Sequence, residues 1–82
     1  MYEIGYRKNN LGGYMELSYK RLFKKLIDLD MQHNELMEKA NVSRSTFYKL
    51  KNGENVTTDI LLRICDALDC DISEIMECIK ND

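Results

Sequence analysis

The stretch from His33 to Gly53 reads HNELMEKANVSRSTFYKLKNG, and it decides the fold. Leu36, Met37 and Ala40 recur at helical spacing behind Asn34, a good N-cap, so a short helix is predicted over about 34–40. Asn41 interrupts it; after glycine, asparagine best tolerates the left-handed backbone that ends a helix. Ser43 is placed to cap a second helix over 44–52, whose inward residues are Phe47 and Leu50, and Gly53 stops it from position C′. Two short helices joined by so tight a turn, with Leu36, Ala40, Val42, Phe47 and Leu50 between them, have helix-turn-helix spacing. On the second helix Arg44, Ser45, Thr46, Tyr48, Lys49 and Lys51 are left for solvent, and none is acidic. Such a face suits DNA, because phosphates repel carboxylates and base edges need hydrogen-bonding partners.

Outward from this motif the period stays helical. Upstream, Tyr19, Leu22, Phe23, Leu26 and Ile27 fill one side of a helix that Ser18 could cap, and Lys20, Arg21, Lys24 and Lys25 fill the other. The like-charge pairs Lys20/Lys24 and Arg21/Lys25 repel slightly at i, i+4, which inclines the basic face toward a functional role. Downstream, a fourth helix is expected after Thr57 or Thr58 with Ile60, Leu61, Ile64, Cys65 and Leu68, and a fifth after Ser73 with Ile75, Met76 and Ile79. Residues 1–14 differ: they hold three of the four glycines and three tyrosines, with Tyr2, Ile4 and Tyr6 alternating before an Asn-Asn-Leu-Gly-Gly break. They form an extension, either a flexible tail or a short β-hairpin, ahead of a domain spanning 15–82. The fold class predicted is therefore all-α, five helices in one compact domain with a short N-terminal extension.

Composition narrows the function. Eighty-two residues, 44% hydrophobic and 32% charged, describe one small globular domain rather than a disordered chain. Neither a signal peptide nor an apolar run of membrane-spanning length is visible, so a cytoplasmic location without membrane contact is expected. Cys65, Cys70 and Cys78 are odd in number and read as reduced thiols packed at helix surfaces; with His33 remote from them, no metal site is expected. One histidine and no glycine-rich phosphate loop leave little from which to assemble an active site, so neither an enzyme nor a cofactor is expected. No second domain is visible that could sense a ligand, so no small-molecule effector is expected.

The order of elements around the motif is similar to a known family. Leu36-Met-Glu-Lys-Ala-Asn-Val-Ser43, Ser45-Thr-Phe-Tyr-Lys-Leu-Lys-Asn-Gly53, and Val56-Thr-Thr-Asp-Ile-Leu-Leu-Arg-Ile-Cys-Asp-Ala-Leu68 with Asp71-Ile-Ser-Glu-Ile75 resemble the Cro/CI-type helix-turn-helix domain of the XRE family of bacterial and phage transcriptional regulators. The resemblance covers residues 17–79 and implies a lambda-repressor-like fold. It also implies a recognition helix that begins at Ser43 and lies in the major groove of double-stranded DNA. Arg44, Ser45, Thr46, Tyr48 and Lys49 would then face bases, while Lys51 and Asn52 stand closer to phosphates. Gln32 and His33, at the start of the preceding helix, occupy the position where members of the family touch a backbone phosphate. Two positions depart from the family pattern. Asn41 replaces the usual glycine of the turn, and Met37 replaces the usual alanine at the helix crossing, where it should widen or tilt the crossing or point aside.

The function implied is sequence-specific DNA binding by a transcriptional regulator, most naturally a repressor, acting as a homodimer on a palindromic operator. Dimerisation is expected through the last helix, with Leu62, Met76 and Ile79 as apolar surplus, or through the N-terminal segment pairing as a strand with its twin. The alternative is an antitoxin-like or adaptor module that binds protein, favoured by an acidic C-terminal third. The net charge of −2 conceals this polarity. Residues 1–29 carry +3, residues 30–42 carry −2, the recognition segment 43–53 carries +3 with no acidic group, and residues 54–82 carry −6. A basic edge and an acidic far side would orient the domain toward DNA.

Overall fold

The computed structural model describes residues 6–8 and 14–81, and within them four α-helices, not five, are joined by a small sheet. In chain order these are β1 (Tyr6–Lys8), β2 (Tyr14–Ser18), α1 (Lys20–Asp28), α2 (His33–Ala40), α3 (Arg44–Lys51), α4 (Thr58–Leu68), a 3₁₀ turn (Ile72–Glu74) and β3 (Glu77–Asn81). The sheet is antiparallel with order β1-β2-β3, and Glu16 faces Tyr6 on one side and Ile79 on the other. Strand β2 runs across the position after residue 14 at which the sequence divides. The expected alternation of Tyr2 and Ile4, and the Asn-Asn-Leu-Gly-Gly break at 9–13, lie outside the described residues.

One core holds the helices together. Tyr19, Leu22 and Leu26 from the first helical segment, Leu36 and Ala40 from α2, Val42 from the turn, and Phe47 and Leu50 from α3 are all buried. Leu61, Ile64 and Leu68 of α4 and Ile75 complete it. The buried stripe of α1 is narrower than the periodicity suggested. Leu22 and Leu26 face inward, Phe23 lies half-buried beside them, and Ile27, about 40° further round the helix, emerges 77% exposed.

Three predicted boundaries need correction. Ser18 does not cap α1: it is the last residue of β2, and the helix starts after Tyr19, with Ser18 Oγ accepting from the Lys20 amide at 3.3 Å. Asn34 does not cap α2, because the cap falls two residues sooner at Gln32, whose amide donates to Glu35 Oε1 at 3.1 Å, half of a capping box. The fifth helix is absent. A single 3₁₀ turn, capped by Asp71 through the Ser73 amide at 3.1 Å, gives way to β3. Along β3, half-buried Glu77 and Ile79 alternate with exposed Cys78 and Lys80, the period of a strand lying on a core. A short apolar run such as Ile75 to Ile79 satisfies either period, and here the free edge of β2 decided it.

The stops are local and legible. Asn41 adopts φ 54° and ψ 51°, the left-handed conformation expected of it, and Asp30 and Asp69 do the same after α1 and α4. Gly53 at φ 74° closes α3 through its own amide to Leu50 O at 3.2 Å and the Glu54 amide to Lys49 O at 2.8 Å. Glycine adopts this backbone without the Cβ clash that asparagine meets. Asn41→Gly should therefore stabilise the domain by up to about 1 kcal/mol. A lower urea midpoint in the variant would show instead that the asparagine side chain holds the turn.

Candidate nucleic-acid interface

Helix α3 is anchored by two residues and capped by a third. Phe47 (3% exposed) and Leu50 (1%) seat α3 in the core. Ser43, in extended conformation, accepts from the Thr46 amide at 3.2 Å, and its hydroxyl also meets Ser45 Oγ at 3.2 Å and Thr46 Oγ1 at 3.0 Å. At 100° per residue, the direction opposite Phe47 and Leu50 is held by Ser45 and Asn52, with Tyr48 and Lys49 beside them. Arg44 and Lys51 lie on one flank of this arc. Thr46 lies on the other flank, half-buried toward Val56 and Ile60.

The structure thus brings most of the expected residues onto one surface. Ser43, Arg44, Ser45, Tyr48, Lys49, Lys51 and Asn52 are exposed there, and no carboxylate stands among them on α3. Lys51 Nζ lies 5.5 Å from the centroid of the Tyr48 ring, a cation–π contact that steadies both side chains. Gln32 and His33 form the start of α2 and are exposed, but the imidazole is held in a trio of rings. It lies 5.0 Å from Phe47 and 5.6 Å from Phe23, and those two phenyl rings are 5.7 Å apart. The α2 N-terminus is in this way packed directly on the anchor of α3.

Two features were not foreseen. Arg63 of α4 reaches the turn itself, its Nη1 donating to the Asn41 carbonyl at 3.1 Å while Nη2 pairs with Asp59 at 2.7 Å. The Asp59/Arg63 spacing of i, i+4 was readable as a helix pair, but its reach to Asn41 was not. The basic face of α1 is also only partly available. Arg21 donates to the Ser73 carbonyl at 2.8 Å and to Glu77 at 3.1 Å, and Lys25 pairs with Glu74 at 3.1 Å. That hydrogen bond holds Lys25 above the ordinary lysine value, and the Asp71 amide followed by Lys25 holds Glu74 below the usual carboxylate value. These two cations fasten the C-terminal segment to α1. Exposed Lys20 instead borders a surface groove shared with Lys51, Asn52 and Gly53.

Among the described residues, no cluster of His, Cys, Asp or Glu could hold a metal ion, and no helix is long and apolar enough to cross a membrane. The family model of the Cro/C1-type HTH DNA-binding domain matches residues 21–81. The chain belongs to that family. In this Cro/C1-type domain the matched span begins within α1 and includes the helix-turn-helix, α4 and β3. Among solved structures, the crystal structure of transcriptional regulator VanUg (Form II) is similar at 49% identity and a TM-score of 0.76, over 79% of this chain and 87% of that one. No curated protein sequence matches the Cro/C1-type chain. Met37, where the departure from the family pattern lies, is half-buried against the core, and its carbonyl accepts the Val42 amide at 2.9 Å to close the turn.

Proposed function

We propose that the chain is a cytoplasmic, sequence-specific DNA-binding repressor that acts as a homodimer on a palindromic operator. The observation that carries this reading is the outward arc of α3, which offers hydrogen-bond donors and no carboxylate while Phe47 and Leu50 hold the helix rigidly behind it. Lying in the major groove, α3 would present Arg44, Ser45, Thr46, Tyr48 and Lys49 to base edges from the end capped by Ser43. Lys51 and Asn52, with Lys20 across the groove, suit phosphates on one side of the helix. Gln32 and His33 suit a phosphate at the start of α2, the imidazole being steadied by its two neighbouring rings.

One domain of this size contacts too little DNA for tight specific binding, so two copies would occupy half-sites about one helical turn apart. The final helix expected to carry dimerisation is replaced by β3, with Met76 and Ile79 half-buried and Leu62 exposed on α4. An edge of the sheet takes its place, and the N-terminal strand β1 is the edge we propose for pairing with its twin. Sedimentation of the full chain beside one starting at Met15 tests the route: a dimer that persists without β1 excludes it.

The DNA reading is tested by a gel-shift with the DNA upstream of the protein's own gene, run at two salt concentrations. Binding that weakens steeply with salt is expected, whereas no binding at low salt would favour the protein-interaction module instead. Lys51→Ala should weaken binding to all sequences alike and lower the log–log salt slope by about 1. A changed preference at a single base pair would make Lys51 a reader of sequence.

A further inference from the structure

The helices all end in one kind of closure, yet the side chains it brings together differ. The amide donates five residues back at each end: Met31 to Leu26 O (2.9 Å), Val42 to Met37 O (2.9 Å), Glu54 to Lys49 O (2.8 Å) and Cys70 to Cys65 O (3.0 Å). In this closure the two side chains so related lean on each other, ordinarily as an apolar contact. Leu26 with Met31 and Met37 with Val42 follow that rule, and Lys49 with Glu54 substitutes opposite charges. At the end of α4 both positions are cysteines.

The backbone closure holds the two residues close together. An N···O distance of 3.0 Å, with the Cα–O and N–Cα spans added, limits the Cα–Cα separation to about 7 Å, close to the upper end of the disulfide window. Both residues are half-buried at the rim of the core and border one surface groove with Leu62 and Ile72. Each thiol influences the ionisation of the other. Exposed Cys78, on β3, is no part of this groove.

We infer that Cys65 and Cys70 form a reversible dithiol–disulfide site whose oxidant is a peroxide. One thiolate attacks a peroxide oxygen and breaks the O–O bond. Hydroxide leaves, takes up the proton the thiol released and becomes water, and the sulfur becomes a sulfenic acid. The second thiol then displaces the sulfenic hydroxyl, which departs as a second water when hydrogen peroxide is the oxidant, and the S–S bond forms. Two electrons and two protons pass from the pair to the peroxide. Burial pushes both thiols up, which keeps the attacking thiolate a minor form. The bridge would pin the end of α4 beside Asp71, the cap of the 3₁₀ turn whose Glu74 is tied to Lys25.

The test treats the full chain with hydrogen peroxide, alkylates with iodoacetamide and cleaves on the N-terminal side of aspartate. That cleavage, at Asp66 and Asp69, separates the two cysteines into peptides that stay joined only if bridged. Joined peptides, unalkylated and lighter by about 2 Da, are expected, with release by dithiothreitol. The same result in the Cys78→Ser chain shows that the third thiol is not needed. In Cys65→Ser, Cys70 should be trapped as a sulfenic acid reactive toward dimedone. Full alkylation of Cys65 and Cys70 after peroxide, a bridge to Cys78 in their place, or sulfinic acid at either residue would overturn the assignment.

Discussion

Phe47→Ala lowers the stability of the domain by about 3–5 kcal/mol, against a total of roughly 4–12 kcal/mol for a chain of this length. The side chain is 3% exposed, and its loss leaves a cavity between α2 and α3 that the surrounding backbone cannot fill. It also removes the ring shared by Phe23 and His33, so the start of α2 and the inner face of α3 lose their common contact. Urea unfolding followed by circular dichroism measures the effect, with Phe47→Leu as a milder partner expected to retain most of the stability. A loss below about 1.5 kcal/mol would mean that Leu50 alone suffices to seat α3.

Arg44→Ala leaves the fold intact and changes what the protein reads. The residue is exposed in the first turn of α3, so little packing is lost. Its guanidinium can form a planar, two-pronged contact with the O6 and N7 acceptors of guanine. Such a contact is worth roughly 1–3 kcal/mol of discrimination, a factor of about 5 to 150 between the preferred base and its rivals. A binding-site selection on both proteins should show one base pair in each half-site losing its preference. If affinity and preference both survive the substitution, the guanine contact belongs to another residue, and Lys49, on the same outward arc, is the next to replace.

The two predictions rest on features whose visibility in sequence differs. The turn was legible because its signals are local: Asn41, Ser43 and Gly53 each act on backbone within four residues of themselves. The same locality made the outward arc of α3 readable from Phe47 and Leu50. What sequence hid is long-range. Nothing near Ile75 or Ile79 reports that β2 waits for a partner, so their spacing reads as a helix until the sheet is seen. Arg21 and Lys25 look like a free basic face because Glu74 and Glu77 lie about fifty residues away. Asn34 has the stronger intrinsic preference for a cap, yet Glu35 returning to the Gln32 amide wins the position. The cysteine spacing does not show their proximity, since it is the left-handed Asp69 that turns Cys70 back toward Cys65.

The pairing of β2 with β3 also sets the order in which the molecule can assemble. The contacts within the helix-turn-helix join residues close in sequence, but Glu16 meets Ile79 only after nearly the whole chain has been synthesised. Closing so long a loop costs entropy that no contact repays until both strands are in place. The helices are accordingly the early-forming part, and the β2–β3 pairing is a late clasp that should open first when amide exchange is followed in the native protein. The outward arc of α3 thus belongs to the part of the domain whose contacts are local in sequence.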